Sequence, residues 1–175
     1  MITLVCGTQN SGKSDKAEAL LAAAEAEHKY YLATMKVFDE AGEERVKKHR
    51  RKREGKGFIT IEIPYHVDRA LDEIPEPENS ALLLECVSNL AGNEMYDDPE
   101  RALHAGASES EIEALAAAVL EDIKTLVSGS GEVIAVANIF PEKDDSYDDE
   151  TKIYVRLNNL LTNKIRQMAD RVVDV

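Results

Sequence analysis

The segment Gly7–Ser14 constrains the fold of this chain more than any other feature of its sequence. It reads Gly-Thr-Gln-Asn-Ser-Gly-Lys-Ser, with two glycines separated by four residues and followed directly by Lys-Ser. This spacing is typical of a loop whose backbone N–H groups surround a row of phosphates. The apolar run Ile2–Cys6 precedes the loop, and the amphipathic segment Asp15–Glu27 follows it. The sequence therefore predicts a strand, a phosphate-binding loop and a helix, in that order.

The chemistry of such a loop assigns roles to its last two residues. A lysine at this position neutralises the outer phosphates, and the hydroxyl that follows it is a ligand for Mg²⁺. We therefore predict that Lys13 is catalytic and that Ser14 binds the metal. We expect the whole loop to contact the nucleotide, namely Gly7, Thr8, Gln9, Asn10, Ser11, Gly12, Lys13 and Ser14.

A phosphate-binding loop of this kind also needs an acid at the end of a neighbouring strand to hold the metal. Glu85 directly follows the apolar run Leu82–Leu84 and is the candidate. A carboxylate in that position meets a cation or a hydrogen-bond donor if it is buried. The plainer interpretation is a strand-end acid that faces solvent.

Apolar runs with the composition of strands recur along the rest of the chain. They are Tyr30–Ala33, Phe58–Ile63, Ala81–Cys86, Val133–Ala137 and Arg171–Val175. Most are separated by helical segments, which are Asp39–Glu54, a helix that begins at a Ser108/Glu111 capping box and ends at Gly129, and Asp149–Met168. This alternation predicts an α/β fold of the P-loop NTPase type, with a mostly parallel sheet and helices on both faces. We expect residues 1–175 to form a single nucleotide-binding domain.

Charge and hydropathy exclude several classes of function. The chain has 21 Lys and Arg against 34 Asp and Glu, for a net charge of −13, which disfavours a general binder of nucleic acid or of anionic membranes. No apolar run approaches the roughly 20 residues that cross a bilayer, and Met1–Val5 lacks the basic start of a signal peptide. We therefore expect a cytoplasmic protein without a membrane span. Cys6 and Cys86 lie within apolar runs and are predicted to be buried structural thiols.

One strongly positive segment lies within this acidic chain. Between Arg45 and Lys56 there are eight basic residues and one acid, Glu54, so the segment is expected to meet an anion. Arg45, His49 and Arg53 are spaced four apart and share one helical face. Arginines on such a face hold phosphoryl oxygens while a neutral imidazole attacks phosphorus. Taken alone, a histidine in a basic helix is more often a solvated surface residue.

Five segments occur in an order and spacing that resemble a known family. They are Gly7–Ser14, Tyr31–Thr34, Asp39–Arg53, Thr60–Pro64 and Leu83–Leu90. Together they are similar to the bifunctional adenosylcobinamide kinase/adenosylcobinamide-phosphate guanylyltransferases of cobalamin biosynthesis. The resemblance implies two reactions, in which ATP or GTP first phosphorylates adenosylcobinamide. GMP then passes from GTP to adenosylcobinamide phosphate through a GMP–histidine intermediate.

The same resemblance implies roles for individual residues. His49 matches the histidine that carries GMP, and Glu62 matches the acid that contacts guanosine. The remaining implied contacts are Thr34, Arg50 and Arg53 along the nucleotide, with Glu85 at the metal. Strand periodicity alone is equally consistent with a Glu62 that faces water, and Thr34 with a strand-end hydroxyl that has no role. A trimer whose active site borders a neighbouring subunit is also implied.

The chain departs from the family pattern after its fifth apolar run. The family usually shows Asn-Glu-Val-Gly-x-Gly there, whereas this chain has Asn138-Ile139-Phe140-Pro141-Glu142. The glycines that permit close approach to the backbone are replaced by bulky residues and a proline. The departure indicates either a divergent branch with a remodelled corrinoid side or the loss of one activity, and the second case gives a homologue that retains only kinase activity. An alternative of a different class is a GTP-binding regulatory module without turnover, whose basic helix docks an acidic partner.

Overall fold

Six parallel strands form one sheet at the centre of the molecule. The computed structural model describes residues 1–36, 42–44, 47, 51, 54–104, 106–142 and 144–175. The strands are β1 (Ile2–Gly7), β2 (His28–Ala33), β3 (Ile59–Glu62), β4 (Ser80–Glu85), β5 (Glu132–Asn138) and β6 (Arg171–Asp174). They lie in the order β3-β2-β4-β5-β1-β6, and every neighbouring pair is parallel. The predicted parallel α/β fold of the P-loop NTPase type is confirmed.

Helices cover both faces of this sheet. They are α1 (Lys13–Ala23), α2 (Val87–Tyr96), α3 (Glu109–Gly129) and α4 (Asp149–Met168), with short 3₁₀ helices at Val67–Glu73 and Pro77–Asn79. Helix α1 packs Ala17 and Leu21 on one face, against a cluster that includes Val5 and Leu83. Helices α2 to α4 and the first 3₁₀ helix pack on the opposite face, in a larger cluster. The inner strands are buried on both faces, which explains their continuous apolar sequences.

The ends of the helices agree closely with the local capping signals in the sequence. The Ser108 side chain and Glu111 form the predicted capping box, and α3 ends at Gly129 as expected. Helix α4 has the predicted bounds. Helix α1 ends at Ala23 rather than Glu27, because His28 already pairs with Ser80 and the chain must turn before it enters β2.

Two elements differ from the sequence prediction or lie partly outside the described residues. Helix α2 was not predicted, and its N-cap Cys86 accepts a hydrogen bond from the Asn89 N–H at 3.4 Å. Within the predicted helix Asp39–Glu54, the structure describes residues 42–44, 47 and 51 as helical. Across the described part of the chain, no helix is both long enough and apolar enough to span a membrane.

Both cysteines are buried free thiols, as predicted. Burial raises the pKa of Cys6 to about 11, and a hydrogen bond to Asp174 contributes to this rise. Burial likewise raises the pKa of Cys86 to about 12, with the Glu85 carboxylate nearby adding to the effect. Both therefore remain thiols at neutral pH and pack as small apolar side chains.

Candidate active site

The carboxyl ends of the strands bring several predicted site residues to one edge of the sheet. Gly7, where β1 ends, pairs with Asn138 of β5. Ala33, where β2 ends, pairs with Glu62 of β3 on one side and with Glu85 of β4 on the other. In parallel α/β sheets this edge is where ligands bind.

The phosphate loop has the backbone geometry that its glycines predict. Gly12 has φ 88°, in the left-handed region that favours glycine, and it directly precedes α1. A Cβ on Gly7 would lie 2.7 Å from Ser11 Oγ and would also meet the carbonyl oxygen of Val175. Both positions thus require glycine for the loop to turn tightly between β1 and α1.

Lys13 folds back over the loop. Its side chain is mostly buried, and its Nζ donates a hydrogen bond to the carbonyl oxygen of Thr8 at 2.8 Å. The ammonium is thereby held over the concave side of the loop, at the first turn of α1, where the helix dipole also favours an anion. This arrangement is suited to binding phosphate.

Ser14 and Glu85 join the phosphate loop to the neighbouring strand β4. The Ser14 hydroxyl donates a hydrogen bond to Glu85 Oε1 at 2.7 Å. The carboxylate is therefore directed toward the loop, as predicted for an acid that completes the site. A hydroxyl oxygen and a carboxylate oxygen this close are the type of ligand that Mg²⁺ prefers, so the donor set fits that ion.

Thr34 fixes the backbone at the end of β4. The residue is fully buried, and its hydroxyl contacts the carbonyl oxygens of Glu85 at 2.9 Å and Cys86 at 3.1 Å and the Cys86 N–H at 2.8 Å. Its predicted direct contact with a nucleotide stays a prediction. In this geometry the hydroxyl positions Glu85 through the backbone that carries it.

A cavity opens at the same edge of the sheet, next to the first turn of α2. Its volume is about 530 Å³, and it lies between the segment after β2 and the helices α2 and α4. Lys36 and Asp97 form an ion pair at 3.3 Å on its wall. The Tyr154 hydroxyl donates to the Ser88 carbonyl oxygen at 3.1 Å, and burial raises the pKa of this phenol above its ordinary value. The wall thus carries fixed polar groups around a space of ligand size.

Asn93 is a site residue that the sequence analysis missed. Its side-chain amide donates to the carbonyl oxygens of Thr34 and Pro64, both at 2.7 Å, and so joins α2 to the chain after β2 and β3. The same residue lines the cavity. Ser88, Asn93 and Glu94 all lie on the buried side of α2, so the apolar periodicity that would have indicated this helix and its polar contacts is interrupted.

The predicted nucleophile lies outside the described residues. His49 and the arginines predicted to accompany it, Arg45, Arg50 and Arg53, are all among the positions that the structure does not describe. At the described end of the basic segment, Lys56 forms an ion pair with Glu18 of α1 at 2.5 Å, which links this segment to the helix that follows the phosphate loop. Glu62 lies exposed at the end of β3.

Hydrogen bonds from α4 hold the segment Asn138–Glu142, which departs from the family pattern. The amide of Asn158 donates to the Asn138 carbonyl oxygen at 2.9 Å, and that of Asn159 donates to the Phe140 carbonyl oxygen at 3.0 Å. The Ile139 N–H donates to the Gly7 carbonyl oxygen at 3.0 Å, and the Ile139 side chain is largely exposed. Backbone contacts with the phosphate loop are therefore made without the usual glycines.

Known proteins resemble this chain over nearly its whole length. The curated "Bifunctional adenosylcobalamin biosynthesis protein CobU" of Escherichia coli (strain K12) is 29% identical over 98% of this chain and 87% of its own length. The protein of the same name from Salmonella typhimurium (strain LT2) is 32% identical over the same shares. A solved structure of an ATPase domain superposes with a TM-score of 0.49 at 13% identity, over 99% of this chain and 68% of that one.

A family model matches the chain as extensively. The model described as "Cobinamide kinase / cobinamide phosphate guanyltransferase" matches residues 3–175. This range includes the phosphate loop, the strand-end acids and the basic segment. The chain therefore belongs to the CobU family of cobinamide kinase/cobinamide phosphate guanyltransferases.

Proposed function

We propose that this chain phosphorylates adenosylcobinamide with GTP or ATP and then transfers GMP from GTP to adenosylcobinamide phosphate. Membership of the CobU family supports a transferase with this pair of activities. In the structure, the proposal rests on one observation: Lys13, Ser14 and Glu85 lie together at the carboxyl edge of the sheet. These residues supply an ammonium, a hydroxyl and a carboxylate where a nucleoside triphosphate binds in this fold.

In the first reaction, the hydroxyl oxygen of the aminopropanol arm attacks the terminal phosphorus of the nucleotide. A bond forms from that oxygen to phosphorus, and the bond from phosphorus to the bridging oxygen breaks. Lys13 exchanges the Thr8 carbonyl oxygen for phosphate oxygens and neutralises the charge that develops on the leaving diphosphate. The loop N–H groups hold the phosphates in place, so most of the catalysis is positioning and charge stabilisation.

Ser14 and Glu85 are the residues that would hold Mg²⁺ in this site. When it is bound, the ion neutralises and orients the phosphate oxygens. Thr34 contributes by fixing the backbone of Glu85 and Cys86, which keeps the carboxylate directed toward Ser14. We assign the cavity at this edge to the hydroxyl-bearing arm of the substrate, because its wall carries Lys36, Asp97 and Tyr154 as polar groups.

In the second reaction, we propose that His49 attacks the α-phosphorus of GTP and releases pyrophosphate. A phosphate oxygen of adenosylcobinamide phosphate then attacks the same phosphorus and releases the histidine. Covalent catalysis of this kind divides one displacement between two anions into two easier steps. Arg50 and Arg53 would screen the charge, and Glu62 would contact the guanosine, in accordance with the family resemblance. By the same resemblance we propose a homotrimer.

The test of the second reaction is label retention on the protein. Incubation with GTP labelled at the α-phosphorus should leave acid-labile label on the wild-type chain, and His49→Ala should carry none. Lys47→Ala, a basic residue of the same segment that pairs with Glu43 and Glu44, is the matched control and should retain the label. Persistent label on the His49 variant would remove this residue from the mechanism.

The substituted segment Asn138–Glu142 favours one alternative, a homologue that acts as a kinase alone. Its bulky residues occupy positions where the family has glycines, so a loss of guanylyl transfer is the specific consequence to test. Supplying adenosylcobinamide phosphate directly, with GTP, bypasses the first reaction. Formation of adenosyl-GDP-cobinamide supports the bifunctional enzyme, and unchanged substrate together with active phosphorylation supports the kinase-only alternative.

A further inference from the structure

A second group of charged side chains is buried on the opposite face of the sheet from α1. It joins three elements, with His66 at the start of the first 3₁₀ helix, Glu94 and Asp98 in and just after α2, and Asp122 in α3. His66, Glu94 and Asp98 are almost completely inaccessible to solvent, with 3%, 0% and 0% of their surface exposed. None of these residues was singled out by the sequence, and none has a role in the proposed reactions.

Each of the two buried carboxylates uses one oxygen for an anchoring hydrogen bond. Glu94 Oε1 accepts from the His66 N–H at 2.9 Å, and Asp98 Oδ1 accepts from the Glu100 N–H at 2.9 Å. These bonds fix the carboxylates on the backbone and leave the second oxygen of each available. The anchoring is of the kind that orients ligands around a metal ion.

The remaining atoms converge without hydrogen bonds. His66 Nε2, Glu94 Oε2 and Asp98 Oδ2 are each buried and have no hydrogen-bond partner within the described part of the chain. One ligand atom from each of the three residues lies within 4.8 Å of the other two. His66 Nε2 is 2.9 Å from Asp98 Oδ2, yet the two atoms are not aligned as donor and acceptor. Unsatisfied buried polar atoms are costly and rare, so three at one point indicate a missing partner.

The charges around these atoms favour a cation as that partner. When His66 is neutral, Arg101 is the positively charged group that the carboxylates of Glu94, Asp98 and Asp122 meet within the described residues. Arg101 forms a bidentate pair with Asp122, at 2.6 and 3.3 Å, and lies 3.5 Å from Glu94 Oε2. Glu100 and Arg69 pair with each other at the exposed rim, with a Glu100 oxygen 3.8 Å from the imidazole. Glu94, Asp98 and Asp122 together with Arg101 leave an excess of two negative charges, which a divalent cation would neutralise. Asp68, which lies within reach of His66 and Asp122 and has one buried oxygen without a hydrogen bond, adds a further carboxylate to this group.

We infer that His66, Glu94 and Asp98 form a binding site for a divalent transition-metal ion of the zinc class. One imidazole nitrogen and two carboxylate oxygens are a ligand set that Zn²⁺, Co²⁺ and Mn²⁺ accept, and a borderline ion is favoured over Mg²⁺ by the imidazole. Asp122 Oδ2 lies 3.8 Å from the other ring nitrogen, His66 Nδ1, and accepts a hydrogen bond from Arg101. The site rests on these contacts alone and is independent of the proposed reactions.

A metal ion in this site would stabilise the wall of the cavity at the carboxyl edge of the sheet. Asn93, Tyr96 and Asp97 line that cavity, and they lie between the proposed ligands Glu94 and Asp98 or next to them in the chain. Metal binding would therefore fix the C-terminal end of α2 against the start of the first 3₁₀ helix. The alternative is neutralisation by protons, since burial raises the pKa of Glu94 to about 7 despite the hydrogen bond from the His66 N–H.

The test is metal binding to the full chain without nucleotide. Protein stripped with a chelator is titrated with Zn²⁺ and, for a spectroscopic signal, with Co²⁺. We expect one equivalent to bind and to raise the melting temperature by about 5 to 10 °C at a hundredfold excess over Kd. Glu94→Gln keeps the acceptor for the His66 N–H and should weaken affinity by about a hundredfold, as should His66→Asn.

The chain offers a matched control for these variants. Glu27, His28 and Glu76 form a group of the same residue types that is mostly exposed, so His28→Asn should leave the affinity unchanged. Loss of binding in His28→Asn with retention in Glu94→Gln would overturn the inference. Failure of the wild-type chain to bind Zn²⁺ at about 100 times the protein concentration would overturn it as well and would leave protons as the neutralising partner.

Discussion

Two polar clusters in this molecule are built on opposite principles, one between the phosphate loop and β4 and the other between the first 3₁₀ helix, α2 and α3. In the first, defined by Lys13, Ser14 and Glu85, the polar groups meet complementary partners, and each contact links the phosphate loop to itself or to β4. In the second, defined by His66, Glu94 and Asp98, three atoms converge without hydrogen bonds and negative charge is in excess.

The difference indicates what each cluster contributes to the protein. Because Lys13 Nζ donates to the Thr8 carbonyl oxygen and the Ser14 hydroxyl donates to Glu85 Oε1, the loop is held in place before phosphate binds, and Lys13 need only exchange one acceptor for another. Neutralisation of the excess charge in the second cluster is expected to stabilise the elements around it. We therefore expect changes in the first cluster to alter activity and changes in the second to alter stability.

Removal of the Lys13 ammonium tests the role of the first cluster, and its expected effect is the largest. Lys13→Ala should lower the rate of phosphoryl transfer about a thousandfold, roughly 4 kcal/mol of transition-state stabilisation, because the variant lacks the ammonium that neutralises the outer phosphates. The rate with saturating GTP is the measurement, and the melting temperature should change little. Lys16→Ala, on the exposed side of α1, is the control. An equal loss in both variants would show that the effect is not specific to the loop.

Removal of the Arg101 guanidinium tests the second cluster. Arg101→Met should lower the free energy of unfolding by about 2 to 3 kcal/mol in the presence of a chelator, because Asp122 and Glu94 lose their cation. Urea denaturation measures this loss. Arg156→Met breaks the exposed pair with Glu109 and should cost less than about 1 kcal/mol. Equal costs for the two variants would contradict a buried charge imbalance.

The Thr34 hydroxyl supports the first cluster, since it stabilises the end of β4 that carries Glu85. Thr34→Val keeps the shape but leaves the Cys86 N–H without its acceptor, and we expect a loss of about 2 kcal/mol in unfolding free energy. Thr34→Ser retains the hydroxyl and should recover most of that stability. Full stability of the valine variant would show that the backbone at residues 85–86 does not depend on this side chain.

Neutralisation of Glu85 is expected to have the smallest effect. Glu85→Gln retains an acceptor for the Ser14 hydroxyl but loses the charge, so about ten times more Mg²⁺ should be needed for half-maximal phosphoryl transfer. A Mg²⁺ titration at fixed GTP gives this value, and Glu78→Gln, in the exposed 3₁₀ helix before β4, provides the control. An unchanged Mg²⁺ requirement would exclude Glu85 from the metal site.

Local sequence signals were sufficient to predict the first cluster. The glycine spacing predicts the loop, and the apolar run that ends in Glu85 predicts a carboxylate at the same sheet edge. Parallel pairing then brings the carboxylate near Ser14 without further information. The strands and the capping box of α3 were predictable for the same reason, since each depends on residues near one another in the chain.

Helix α2 and the second cluster were not predictable from such signals. Asn93 and Glu94 place polar groups on the buried side of α2, which interrupts the apolar periodicity by which a helix is recognised. Their partners come from elsewhere in the chain, with the Thr34 and Pro64 carbonyl oxygens accepting from Asn93 and the His66 N–H donating to Glu94. Only the tertiary structure brings these groups together.

The most direct test of the central claim is to identify what the wild-type chain makes from adenosylcobinamide, GTP and Mg²⁺. Mass spectrometry of the corrinoid product should show adenosyl-GDP-cobinamide, with pyrophosphate released, and the Lys13→Ala variant should leave adenosylcobinamide unchanged. Adenosylcobinamide recovered without phosphate or GMP from the wild-type reaction, while GTP still binds, would contradict the account.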